Sequence, residues 1–125
     1  MFKSPTERRY YPRIECSFPV TIRGEGFTLI IETKNISCSG LYCKTNETGL
    51  LKGEVRVILL LNRSRSSRIT VWPKVIDCIG VIVRIESAEP GDGFGNSGVA
   101  IQFKELSKDN KNNISNCVSQ WRNYR

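Results

Sequence analysis

Apolar residues alternate with polar ones through most of this chain, and a two-residue period is what half-buried β-strands require. Phe18, Val20 and Ile22 lie on one face, with Ser17, Thr21 and Arg23 on the other, and the pattern stops at Gly24-Glu25-Gly26. It resumes with Phe27, Leu29 and Ile31 and runs toward Asn35. Residues 40–44 read as a short third strand, and residues 46–53 as a turn-rich connection. Val55, Val57, Leu59 and Leu61 then alternate with Glu54, Arg56, Ile58 and Leu60; that strand is apolar on both faces near its end, so a cover is expected there. Residues 62–68 form a basic, serine-rich hairpin loop. The stretch 69–86 is too long for one flat strand, with Pro73 expected at an edge or bulge and Gly80 at a bend. A glycine-rich loop over 89–98 leads to a last strand with Val99, Ile101 and Phe103 on one face.

The period then changes. Leu106, Ile114, Cys117, Val118 and Trp121 recur at helical spacing, with Ser107 placed to cap the helix start. The expected fold is mainly β: a six- to seven-stranded antiparallel β-barrel with a C-terminal α-helix laid across it. Residues 1–15 lack the period and carry Pro5, Pro12 and three arginines, so they read as a mobile arm. The barrel is expected over 16–106 and the helix over 107–125.

Composition narrows the function classes. At 125 residues the chain fits one domain able to bury its own core. Lys plus Arg is 19 against 12 Asp plus Glu, a net +7, which favours an anionic partner. With no histidine, Ser-His-Asp and Cys-His nucleophile systems are excluded. Five cysteines, an odd number with no C-x-x-C pair, read as reduced thiols in a cytoplasmic protein, with no metal expected. The longest apolar run is residues 57–61, far short of the roughly 20 residues of a membrane span, and no secretory signal is read in the basic amino terminus. Asp77, Glu86 and Glu105 are taken as surface charges; no enzyme activity and no cofactor are expected.

Three motifs can carry chemistry. Gly93-Phe94-Gly95-Asn96-Ser97-Gly98 is a literal G-x-G-x-x-G, but it opens a strand, whereas a dinucleotide fingerprint must open a helix. It is read as a loop. Arg8-Arg9-Tyr10-Tyr11-Pro12-Arg13 offers planar guanidinium forks that bind phosphate or the O6/N7 edge of guanine; a solvated basic arm fits this spacing equally well. Asn35-Ile36-Ser37-Cys38-Ser39-Gly40 combines an amide that donates and accepts, a hydroxyl and a glycine that lets a ligand approach the backbone, though such residues also make ordinary turns.

Taken together, Arg9-x-x-x-Arg13 followed about two strands later by Asn35-x-Ser37-x-x-Gly40 resembles the PilZ family of bacterial cyclic di-GMP receptors. Residues 81–84 and 98–103 are similar to the family's later strands, so the resemblance runs from residue 7 to about 106. It implies cyclic di-GMP as ligand. Arg9 and Arg13 would take guanine and phosphate, Asn35 a guanine edge, and Ser37 a phosphate or guanine beside Gly40. Arg8 would add a third guanidinium, which in the family favours an intercalated ligand dimer. One Arg fork on a guanine edge is worth about 1–3 kcal/mol of discrimination. Two or three such contacts approach the roughly −8 kcal/mol of micromolar binding. The implied role is signalling, in which ligand orders the arm and alters contact with an effector protein in motility, polysaccharide or pilus machinery. Two rival classes remain: a nucleic-acid-binding barrel, disfavoured by the low aromatic content, and a PilZ-like protein adaptor that works without ligand.

Overall fold

A computed structural model describes residues 14–49, 51–61, 74–86 and 97–123 of the chain, excepting the side chains of residues 120–123. Seven strands precede one helix: β1 (Ile14–Glu15), β2 (Pro19–Gly24), β3 (Phe27–Ser37), β4 (Gly40–Thr45), β5 (Glu54–Leu61), β6 (Lys74–Glu86), β7 (Ser97–Lys104) and α1 (Lys108–Asn123). Hydrogen bonding runs β3-β2-β5-β6-β7-β4, and β4 pairs back onto β3, closing a six-stranded antiparallel barrel with β1 as an added strand. Among the described residues, closure leaves no long strand edge for another chain to pair with.

The alternation read from sequence is the alternation of the pleat. Val20, Ile22, Val57, Leu59, Leu61, Ile76, Val99 and Ile101 fill the interior, each 2% exposed or less. Burying a Val, Leu or Ile side chain in this way stabilises the fold by about 1.5–3 kcal/mol. On the outer face of β5, Ile58 and Leu60 are half-buried, as the two-sided apolar end of that strand anticipates.

One polar side chain is fully buried for a structural reason. β1 and β2 lie on the same side of β3, at Ile36–Asn35 and at residues 27–32, separated by the irregular residues 16–18. Thr33 of β3 sits opposite that interruption with its hydroxyl between the strands. The hydroxyl donates to the Cys16 carbonyl and accepts from the Phe18 N–H, both at 3.0 Å. It replaces the ladder bonds that the break removes, so the backbone polar groups there stay satisfied without water.

The helix closes one end of the barrel. Ser107 accepts the Asn110 N–H on its hydroxyl at 3.1 Å, the N-cap contact read from sequence. Ile114, Cys117 and Val118, at i, i+3 and i+4, are buried, and α1 packs against β1, β3 and β6.

Three readings are refined. Ile14, which sequence periodicity assigned to the arm, is paired with Ile36; it is 3% exposed and belongs to the core. Residues 74–86 make one strand, and its irregularity falls between Ile82 and Arg84, not at Gly80. Gly80 is there for space: a Cβ would stand 2.5 Å from Ile101 Cγ2. Pro73, Trp121's side chain and the basic hairpin loop lie outside the described residues.

Candidate functional site

The outer face of β3, β4, β7 and β6 carries two rows of side chains set by strand register. Asn35 pairs with Tyr42, Tyr42 with Ala100, and Ala100 with Arg84. Ser37 pairs with Gly40, Gly40 with Gln102, and Gln102 with Val81. Between the rows lies an open cleft of about 210 Å³, with Asn35 and Ser37 on one wall, Arg84 on the other, and Gly40 and Ala100 as floor.

Small residues are required on that floor. A Cβ on Gly40 would stand 2.1 Å from the Ile101 carbonyl oxygen, a collision with backbone that no rotamer relieves. The Ser37 hydroxyl is buried, lies 2.8 Å from the Ser39 hydroxyl and accepts the Ser39 N–H at 3.1 Å. That local turn holds the oxygen in place while leaving it acceptor and donor capacity. The Asn35 carboxamide, half-buried beside it, has no hydrogen-bond partner among the described residues.

The opposite rim is built around Glu86. The Tyr42 hydroxyl donates to Glu86 Oε1 at 2.9 Å, and Arg84 Nε lies 3.2 Å from Glu86 Oε2. The Tyr42 ring occupies the space above Gly98, where a Cβ would stand 1.7 Å from the phenolic oxygen. Burial first, and then the hydrogen bond and charge of Glu86, push the Tyr42 phenol above its ordinary range. It therefore remains a neutral donor at physiological pH. On the neighbouring face Asp77, read as a surface charge, is held in a two-bond pair by Arg56, at 2.9 and 2.6 Å.

Of the residues chosen from sequence, Asn35, Ser37 and Gly40 are brought together on one wall and the floor. Arg8, Arg9 and Arg13 lie outside the described residues, as do Gly93 and Gly95 of the glycine-rich motif; Gly98 belongs to β7. Sequence reading did not select Tyr42, Arg84, Glu86 or Gln102. They come from three strands, and only register unites them. One signal was present: the run Val81-Ile82-Val83 breaks the alternation, and that break is the bulge that presents Arg84. Among the described residues no group of three or more His, Cys, Asp or Glu could hold a metal ion, and no helix is long and apolar enough to cross a membrane.

The described residues thus form a closed six-stranded barrel with a C-terminal helix and an outer-face cleft beside an N-x-S-x-x-G turn. The PilZ domain family matches residues 7–120, and the chain belongs to that family. Comparison with curated proteins finds no match. Among solved structures, the Bacillus subtilis inhibitor of motility (MotI/DgrA) is similar at 20% identity and a TM-score of 0.76, over 94% of this chain and 53% of that one. The PilZ domain of Escherichia coli YcgR, solved with c-di-GMP, is similar at 16% identity and a TM-score of 0.70, over 94% of this chain and 95% of that domain. MrkH of K. pneumonia, solved as a c-di-GMP complex, is similar at 18% identity and a TM-score of 0.67, over 94% and 53%. The chain thus spans about half the length of MotI and MrkH.

Proposed function

We propose that this chain is a cyclic di-GMP receptor that binds its ligand in the β3-β4-β7-β6 cleft and works as a cytoplasmic signalling adaptor, not as an enzyme. The supporting observation is the register of β1. Ile14 pairs with Ile36 and Glu15 with Asn35, so the chain enters the barrel alongside the N-x-S-x-x-G wall. Arg13 is bonded to Ile14, and one Cα–Cα step of about 3.8 Å keeps it close to that wall. That register supports a reading in which the two halves of the motif, 22 residues apart from Arg13 to Asn35, serve one cleft. In this reading Asn35 takes a guanine edge, Ser37 a phosphate or guanine, and Gly40 keeps the floor open. Arg8, Arg9 and Arg13 supply guanidinium forks from above. Ordering of residues 5–15 over the ligand then changes the surface offered to an effector protein.

Calorimetric titration with cyclic di-GMP, against GTP and cyclic di-AMP, tests this. Selective binding at micromolar or tighter affinity is expected, with at least a tenfold loss in Arg9→Ala and in Arg13→Ala at unchanged thermal stability. Arg63→Ala and Arg65→Ala serve as charge-matched controls. Equal losses in the controls, or a steep collapse of binding with salt, would point to general attraction for polyanions instead. Amide exchange in residues 5–15 should slow on ligand addition; strong protection there without ligand would remove the ordering step.

A further inference from the structure

Arg84 is an unusual cation. It sits at a bulge in β6, its side chain is 59% exposed, and it faces a cleft while its own charge is already answered. Nε pairs with Glu86 Oε2, and Glu86 is in turn fixed by the Tyr42 hydroxyl, whose ring is seated over Gly98. This chain of contacts restrains the guanidinium plane. Its terminal nitrogens, Nη1 and Nη2, have no partner among the described residues. The result is a planar pair of donors on a cation already paired with a carboxylate, with Lys44 the second cation near the Tyr42 phenol.

That combination selects among acceptors. A phosphate brought to Arg84 would also approach the Glu86 carboxylate, and like-charge repulsion would offset part of the attraction. A neutral edge with two acceptors carries no such penalty. Guanine presents O6 and N7 side by side, whereas adenine presents N7 beside an N6 donor. Arg84 and Asn35 lie in one row across four strands, three strand spacings or about 14 Å apart along the sheet. A ligand with recognition groups at two ends can engage both walls.

Resting on the cyclic di-GMP reading above, we propose that Arg84 is a guanine-specificity residue: its Nη fork reads the O6/N7 edge of one guanine, with Glu86 and Tyr42 as positioning residues. The first titration separates the two claims. If the unmodified protein does not bind cyclic di-GMP, the receptor reading fails. If it binds, Arg84→Gln should weaken binding about tenfold to a hundredfold, and Arg84→Lys should not restore it, because an ammonium cannot make the paired contact. A cyclic dinucleotide with carbon in place of guanine N7 completes a double-mutant cycle. The penalty for losing N7 should shrink several-fold in Arg84→Gln. An equal N7 penalty in both proteins would overturn the proposal, as would unchanged cyclic di-GMP affinity in Arg84→Gln. Equal losses toward cyclic di-GMP and cyclic di-AMP would also overturn it. Independently of any variant, the Arg84 Nε–H resonance of the unmodified protein should shift at ligand saturation; an unmoved resonance counts against the contact.

Discussion

Replacing Gly40 by alanine should be the most damaging single methyl in the cleft. The new Cβ would stand 2.1 Å from the Ile101 carbonyl oxygen, where ordinary contact begins near 3.4 Å, so β4 and β7 must separate by 3.4 − 2.1 = 1.3 Å at that point. Both groups belong to the backbone of paired strands, and the neighbouring bond from Phe103 N–H to the Ser39 carbonyl is only 2.9 Å long. Overpacking of this kind costs about 1–3 kcal/mol, and one or two weakened ladder bonds add about 0.5–1.5 kcal/mol each. Reduced freedom of the unfolded chain returns about 0.4–1 kcal/mol. The net expectation is a loss of about 2–3 kcal/mol. With a urea slope of about 1.5 kcal/mol/M, the unfolding midpoint should fall by about 1.3–2 M. Gly49→Ala is the control: a Cβ there meets nothing within 4 Å, so its midpoint should stay put or rise slightly. Urea unfolding followed by tryptophan fluorescence measures both. Coincident midpoints for the two variants would refute the steric argument for the cleft floor.

Thr33→Val keeps the shape but removes the donor to Cys16 C=O and the acceptor for Phe18 N–H, both 3.0 Å bonds in a fully buried setting. It should cost about 2–4 kcal/mol and speed amide exchange at Ile14 and Glu15; a loss below about 0.5 kcal/mol would show that the bridge is dispensable. Burial pushes the Cys43 thiol from 9.0 to about 12. Because the folded pKa is the higher one, the unfolded chain loses this proton first. The thiol's contribution is complete below about pH 9 and falls as pH rises toward 12. Between about pH 8 and about pH 10, unfolding free energy should therefore drop by about 1 kcal/mol more in the native sequence than in Cys43→Ala. Parallel curves would contradict the assignment.

The strands were legible because a pleated strand facing a core writes its period directly into the chain. Val55, Val57, Leu59 and Leu61 had to share a face, and all four are buried. The helix cap at Ser107 was legible because it is a contact across three residues. The Asn35, Ser37 and Gly40 wall was legible for the same reason, since two strand ends and the turn between them hold it together. β1 escaped because two residues carry no period, and their order comes from pairing with Ile36 and Asn35 far along the chain.

The sequence alone therefore determined the class of fold, the local wall of the cleft and, through Arg9-x-x-x-Arg13, the family to which the chain belongs. Those properties rest on spacings of two to four residues, which elementary strand and helix geometry converts into faces. Tertiary structure alone decided what stands opposite that wall. Asn35 is related to Arg84 only through two intervening strands, from residues 49 positions apart, and a one-residue slip in any of the three ladders would put the two on opposite faces. The bulge between Ile82 and Arg84 sets that register, Gly98 leaves room for the Tyr42 ring, and Glu86 answers both Tyr42 and Arg84. Only the bulge leaves a local trace, the broken alternation at Val81-Ile82-Val83; which residues it sets facing one another has no such signature, because register across a closed sheet is a property of all its strands at once.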